Sequence, residues 1–333
     1  MRYTAVYAVL ITVCVISFIF GVSEGAMEVS TGDILRIIAE KLSGVRADGI
    51  ADNVRAVVWE IRFPRVLCAM LTGAGLAASG VIFQGILQNP LADPYTLGIS
   101  NGASFGAALA IYLNMTFGIY LPITVCALVS AVVTLAAVTA AAHRGASFES
   151  SNLIIAGIIV SAVLSSGVSF LKMLSGENVG AIVFWIMGSL SSSSWSDAAL
   201  LAPVVTAASI ISALLSMRLD IMATGDRNAE SLGVNTSRTR LIYLLLGSAM
   251  TAVCVSVSGV IGFVGLIVPH LLRMWLSSKN RVLLPASLLA GAVLLSAADN
   301  VTRMLPGGEI PVGIITTLIG GPFFIYIFMR RRG

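Results

Sequence analysis

Charged side chains are almost absent from ten stretches of this chain, and that property excludes most folds. Residues 4–21, 66–87, 102–113, 119–142, 153–171, 198–217, 241–261, 283–298 and 311–329 are each nearly charge-free, and "VIGFVGLIVPHLL" (260–272) continues the pattern to Trp275. Only 11% of the 333 residues are charged, against about 25% in soluble domains. Mean hydropathy is +0.96. A surface so poor in charge is solvated by lipid. A spanning helix takes roughly 17–25 apolar residues, so the runs predict about ten transmembrane helices in an all-α polytopic membrane protein. They do not alternate apolar and polar positions as the strands of a membrane barrel do. The first run, about 18 residues long, exceeds the roughly 7–15 of a cleaved signal core and is read as a retained first span.

The sequence offers little to an enzyme. It has no G-x-x-x-x-G-K-[ST] loop to cradle nucleotide phosphates, no H-E-x-x-H, no G-x-S-x-G and no carboxylate pair inside an apolar run. Cys14, Cys68, Cys126 and Cys254 are scattered through apolar runs and are expected to pack as small hydrophobes. His143 and His270 stand alone. No metal site is expected.

Basic residues orient a membrane chain toward the cytoplasm. Arg144, the cluster Arg218, Arg227, Arg238 and Arg240, the group Arg273, Lys279 and Arg281, and the terminal Arg330, Arg331 and Arg332 all fall on one side if ten spans leave both termini inside. Residues 22–60, 172–197 and 299–310 then lie outside. "STGDILRII" within the first of these opens as a capped helix, predicting a short external helix. "SGVIFQGILQNPL" (79–91) weakly echoes "SGVIGFVGLIVPHLL" (258–272), either an inverted repeat or chance among Gly, Val and Ile. Small residues in "LTGAGLAASG" (71–80) predict closely packed helices.

Three edge features invite a function. "EIRFPRVL" places Arg62 and Arg65 on one helical face, with Pro64 suited to a first turn. Arg303 stands at another outer edge, beside Glu309 in the sequence pattern. These arginines either anchor in head groups or form a docking patch for an acidic partner. "TGDRNAESLGV", within the inner loop 218–240, reads as a short helix stopped by Gly233. "QNPLADPYTLGIS" (88–100) inserts two prolines and polar residues between apolar runs, a stiff non-helical turn.

"IRFPRVLCAMLTGAGLAASGVIFQGILQNPLADPYTLGISNGA" (61–103), "SGVIGFVGLIVPHLLR" (258–273), "RVLLPASLLAGAVLLSAADNVTR" (281–303) and "EIPVGIITTLIGGPFFIYIFMRR" (309–331) resemble, in order, the four signatures of the FecCD-type permeases. These are the membrane subunits of type II ABC importers for iron-siderophores, haem and vitamin B12. The resemblance implies the type II ABC importer permease fold in a single transmembrane domain over residues 1–333, in the cytoplasmic membrane of a prokaryote. It implies a homodimer in membrane lipid, two cytoplasmic ATPase subunits that use the ATP, an extracytoplasmic substrate-binding protein, no cofactor on this chain and no nucleic-acid partner. An iron-siderophore or haem is the leading substrate expectation and cobalamin the alternative. Position by position, Asn89 and Leu91 match the inner gate, Ser150 and Ser151 a second inner constriction, Arg62, Arg65 and Arg303 the binding-protein docking residues, and Gly225, Glu230, Leu232 and Gly233 the ATPase-coupling helix. A secondary transporter would need an intramembrane ionisable relay, for which Asp299 and Lys172 are the candidates.

Overall fold

A computed structural model describes residues 2–25, 27, 29–46, 48–142, 150–305 and 310–330. His143, Arg144, Glu309, Arg331 and Arg332 lie outside these residues, so their part in the orientation argument has no structural counterpart.

Each of the ten apolar runs is a helix. The first is α1 (Arg2–Ser23). α2 (Thr31–Ser43) follows, with Ser30 accepting a hydrogen bond from the Asp33 amide as its N-cap. α3 (Asp52–Ala56), a π-helical segment (Val57–Arg62) and α4 (Phe63–Ile86) then form one continuous rod. Pro64 has no N–H to return to the Glu60 carbonyl, and the widened π turn lies where that bond is missing. α5 (Ile99–Phe117), α6 (Ile123–Ala142) and α7 (Ser150–Leu174) come next, followed by the short α8 (Val179–Ile186). α9 (Trp195–Leu214) leads to the short helices α10 (Ser216–Met222) and α11 (Asp226–Ser231). α12 (Thr236–Ser258), α13 (Val264–Trp275), α14 (Asn280–Met304) and α15 (Val312–Arg330) complete the chain. Among the described residues, seven helices are long and apolar enough to cross a membrane unaided: α1, the 52–86 rod, α6, α7, α9, α12 and α14.

Burial ranks these helices. The most apolar window of the 52–86 rod is 78% buried, against 67% for α12 and 56% for α14, but only 11% for α1 and 22% for α6 and α7. The rod, α12 and α14 therefore form the centre, while α1, α6 and α7 present apolar faces outward. Lipid is as apolar as these side chains, so close packing takes over the work that water exclusion does elsewhere. Gly73 and Gly291 show how close: a Cβ on either would collide with the other's carbonyl oxygen. Gly80 meets the Gly265 carbonyl in the same way, so the two echoing segments pack on each other. Their local structures differ. The first is helix through Ile86; the second breaks at 259–263, with Gly259 (φ 68°) and Phe263 (φ 69°) left-handed, before α13 begins.

Long-range contacts sort the loops to two ends. At one, Arg65 meets Asp299 and the Trp195 indole donates to the Trp59 carbonyl (2.9 Å). Here α2 seats Ile34 and Ile37 on Val22, Val58 and Val66, and Trp59, Phe63 and Trp195 stack with centroids 5.0–5.4 Å apart. At the other end, Asp220 accepts from Asn280, and Ser150 and Arg240 both reach Ile86. Residues 218–240 and 22–60 thus stand at opposite ends, as the basic-residue pattern requires. The segment 172–197, which the sequence reading puts outside, is partly helical. Within it lies the apolar α8, with Ile182 fully buried.

Candidate functional site

The stretch 88–97 is not a plain end loop. Gln88, Asn89, Pro90 and Leu91 are exposed at the end of α4, but Ala92, Pro94 and Leu97 are buried. Asp93 caps a 3-10 turn over Pro94–Leu97: its carboxylate accepts from the Tyr95 amide (2.8 Å), and the Thr96 hydroxyl receives the Asp93 N–H. The Pro94 ring lies against Gly265, which packs on Gly80. Gly80 precedes Ile86 by about 9 Å of helix axis at 1.5 Å per residue, so the chain has turned back into the bundle. There the Tyr95 hydroxyl donates to the Ile261 carbonyl (2.7 Å) and accepts from the Ile261 amide (3.2 Å), satisfying backbone groups in the α12–α13 break. Irregular backbone at such depth survives only where protein buries it or a cavity adjoins it. Both hold here, because Tyr95 also faces a cavity of about 410 Å3 lined by Met187, Gly262, Gly313 and Thr317.

The tip of this loop is tied to the 218–240 segment. Gln88 takes a left-handed backbone (φ 51°), and its amide nitrogen donates to the Met222 carbonyl (3.0 Å) and to Asp226 Oδ1 (3.1 Å). Arg240, 2% exposed, puts Nη2 2.8 and 2.9 Å from the two Asp226 oxygens, and its Nε donates to the Ile86 carbonyl (3.3 Å). Ser150 Oγ donates to the same carbonyl (3.1 Å). Helix ends leave carbonyls without intrahelical donors; here α7 and α12 supply them to α4. Ser151 is exposed beside Ser150. In α11 the helix is short, as the sequence predicts. Gly225 (φ 102°) opens it and Gly233 (φ 82°) follows it, both in backbone that favours glycine. Glu230 accepts from the Thr236 hydroxyl (2.7 Å), and Leu232 is 66% exposed.

At the opposite end, Arg62, Arg65 and Arg303 converge on one cavity of about 460 Å3, with Glu24 and Thr302 on its wall. They are largely buried and internally engaged. Arg62 donates to the carbonyls of Val22 (3.1 Å), Ser23 (2.7 Å) and Met27, holding the chain that leaves α1. Arg65 pairs with both oxygens of Asp299 (3.0–3.2 Å). Arg303 lies 3.4 Å from Asp299 Oδ2 and bonds the Glu24 carbonyl (3.0 Å) and the Asn300 side chain. Asp299 is thus clamped between two guanidiniums, and Lys172 lies in the last turn of α7. Among the described residues no group of three or more His, Cys, Asp or Glu could hold a metal ion.

Sequence reasoning noticed the amide pair Gln88 and Asn89 but gave a role only to Asn89, and treated Arg240 only as an orienting charge. A basic residue immediately before an apolar run, the fifth residue of α12, was the available signal.

A helical bundle with two chemically distinct ends and a backbone segment folded back into its interior is the architecture of a multi-pass membrane permease. The chain belongs to the FecCD transport family, which it matches over residues 13–330. It is 38% identical to the cobalamin import permease BtuC of Halobacterium salinarum (85% of this chain, 76% of that protein). It is 35% identical to the molybdate import permease MolB of Haemophilus influenzae (96% and 94%) and 37% identical to the Fe(3+)-citrate import permease YfmE of Bacillus subtilis (84% and 84%). Its fold is similar to the solved structure of a metal-chelate type ABC transporter in an inward-facing conformation, with a TM-score of 0.84, 34% identity and coverage of 98% of this chain and 99% of that one. The chain is an ABC-transporter permease of the cytoplasmic membrane.

Proposed function

We propose that this chain forms the translocation pathway of an ATP-driven importer of a metal chelate, with an iron-siderophore or haem as the leading substrate and cobalamin as the alternative. The observation that carries this reading is the end-to-end similarity, at 34% identity, to a metal-chelate type transporter of the same fold. The iron preference is supported by the ferric-citrate relative and the cobalamin alternative by the archaeal one. The molybdate relative adds an oxyanion to the substrates worth offering.

In this reading two copies of the chain pair in the membrane. Residues 218–240 face the cytoplasm, where α11, with Gly225, Glu230, Leu232 and Gly233, seats on one of two ATPase subunits. Leu232 is apolar and exposed outside the spans, available to such a contact. Asn89 and Leu91, exposed at the loop tip, and Ser150 and Ser151 beside them narrow the inner mouth. Residues 22–60 lie outside. A substrate-binding protein docks there, its acidic side chains approaching the cavity lined by Arg62, Arg65 and Arg303. ATP is bound by the partner subunits and no cofactor by this chain. A secondary transporter has weaker support, because Asp299 is committed to two arginines.

The test is uptake by proteoliposomes or cells carrying or lacking this chain, supplied with its own binding protein and ATPase. Ferric siderophore, haem, cobalamin and molybdate are offered separately. Chain-dependent, ATP-dependent accumulation of an iron complex is the expected result. Uptake that persists on an ion gradient without the ATPase refutes the reading.

A further inference from the structure

Ties from the loop tip and from α12 meet at Asp226, the first residue of α11. Its carboxylate receives Gln88 from the loop (3.1 Å) and Arg240 from α12 (2.8 and 2.9 Å). Arg240 in turn holds the Ile86 carbonyl, the last residue of α4 before that loop. Gln88 also grips Met222, at the end of α10. These bonds cross from one end of the 218–240 segment to the base of the loop, with few intervening residues. Arg240 is 2% exposed. Moving α11 away from the loop would strip a buried cation of its carboxylate, which is costly. Gln88 is held in a left-handed backbone that a residue with a Cβ seldom adopts, and from there its side chain reaches Asp226.

We propose that Asp226, Arg240 and Gln88 form a positioning tie that makes α11 and the Gln88–Leu91 tip move as one body. A displacement imposed on α11 then reaches Asn89 and Leu91 without slack. This rests on the reading of α11 as the ATPase-contacting helix and of the loop tip as the gate. None of the three residues needs to touch substrate or ATPase. Their part is to fix the loop's position relative to the moving helix.

The test uses the complete transporter in proteoliposomes and reads ATP hydrolysed and substrate accumulated in the same sample. Wild-type protein must first show ATP-driven uptake; failure there refutes the functional reading and not the tie. Asp226→Asn and Gln88→Ala are then expected to assemble and hydrolyse ATP, while substrate moved per ATP falls roughly 2- to 30-fold, the range for residues along a coupled network. Asp226→Glu, which keeps the charge, should retain more of that ratio than Asp226→Asn. A ratio unchanged in both variants, or hydrolysis and uptake falling in parallel with protein yield, overturns the proposal. A second measurement separates positioning from mere folding. In the double variant Gln88→Cys with Asp226→Cys, a short bifunctional thiol reagent should restore the ratio, because a covalent link replaces the tie. If linking the two blocks uptake and cleaving the link restores it, the loop and α11 move apart during transport and the proposal is wrong.

Discussion

Arg65 Nη2 lies 3.0 Å from Asp299 Oδ1, a buried pair that joins the first turn of α4 to the last turns of α14. Arg303 approaches the other oxygen at 3.4 Å. One carboxylate therefore serves two guanidiniums. Removing it leaves both largely buried cations without their shared anion. Asp299→Ala should cost about 3–5 kcal/mol, read as a lowered melting temperature of the detergent-solubilised protein. Replacing Arg65 and Asp299 together with Met and Leu should cost less than Asp299→Ala alone, because only Arg303, and not both guanidiniums, then loses its carboxylate.

The same geometry governs how docking can be tested. Arg65→Glu would set a second carboxylate against Asp299 and should reduce folded yield, so its loss of binding would be uninformative. Arg62→Gln retains donors for the Val22 and Ser23 carbonyls and removes a charge from the cavity wall. Binding-protein affinity, measured on folded, monodisperse protein, should weaken, and the association rate should fall more than the dissociation rate rises. Unchanged kinetics in low salt would return Arg62 to a purely structural role.

Asn89 and Leu91 are exposed, so enlarging them does not disturb packing within the protomer. Asn89→Trp should leave stability within about 0.5 kcal/mol of wild type, read as a nearly unchanged melting temperature, and lower substrate flux. Leu91→Ala should raise ATP-independent leak from loaded proteoliposomes. Normal flux and leak in both would remove the tip from the gate.

Tyr95→Phe deletes one hydroxyl that serves both the amide and the carbonyl of Ile261. Leaving those buried groups unsatisfied should cost about 1–3 kcal/mol. Amide exchange should rise locally, at 259–263 and 93–97, while the helices of the bundle core stay protected.

Gly73→Ala tests the central packing. The added Cβ meets the Gly291 backbone, which cannot rotate away as a side chain would. A loss of about 1–3 kcal/mol, seen as reduced yield and melting temperature, is expected, with little relief from Gly291→Ala.

The helices were legible because lipid imposes long charge-free runs, and even the 12-residue α13 left its trace. The start of α13 was not, because it depends on Phe263 taking a left-handed backbone to which a bulky ring gives no clue. α8 escaped notice because its eight residues fall short of a span and sit among serines and glycines. Prolines and Gly98 marked 88–98 as a turn. Its return into the bundle depends on Tyr95 meeting Ile261, 166 residues away, a pairing that no local pattern announces. Arg62 and Arg65 were recognised as edge arginines, but a list of charges does not say whether a guanidinium faces solvent or is enclosed by carbonyls and Asp299. For the site residues, position could be read from local motifs; partnership could not.

The Ile86 carbonyl accepts from Ser150 at 3.1 Å and from Arg240 at 3.3 Å. Three helices therefore meet on an atom that belongs to no side chain. Exchanging Ile86 for any other residue leaves that oxygen in place, so a mutational scan of the position would report only on the packing of its side chain and stay silent about the junction. The junction can be perturbed genetically only through its donors, or chemically by an ester in place of the following peptide bond, which weakens the acceptor without altering any side chain.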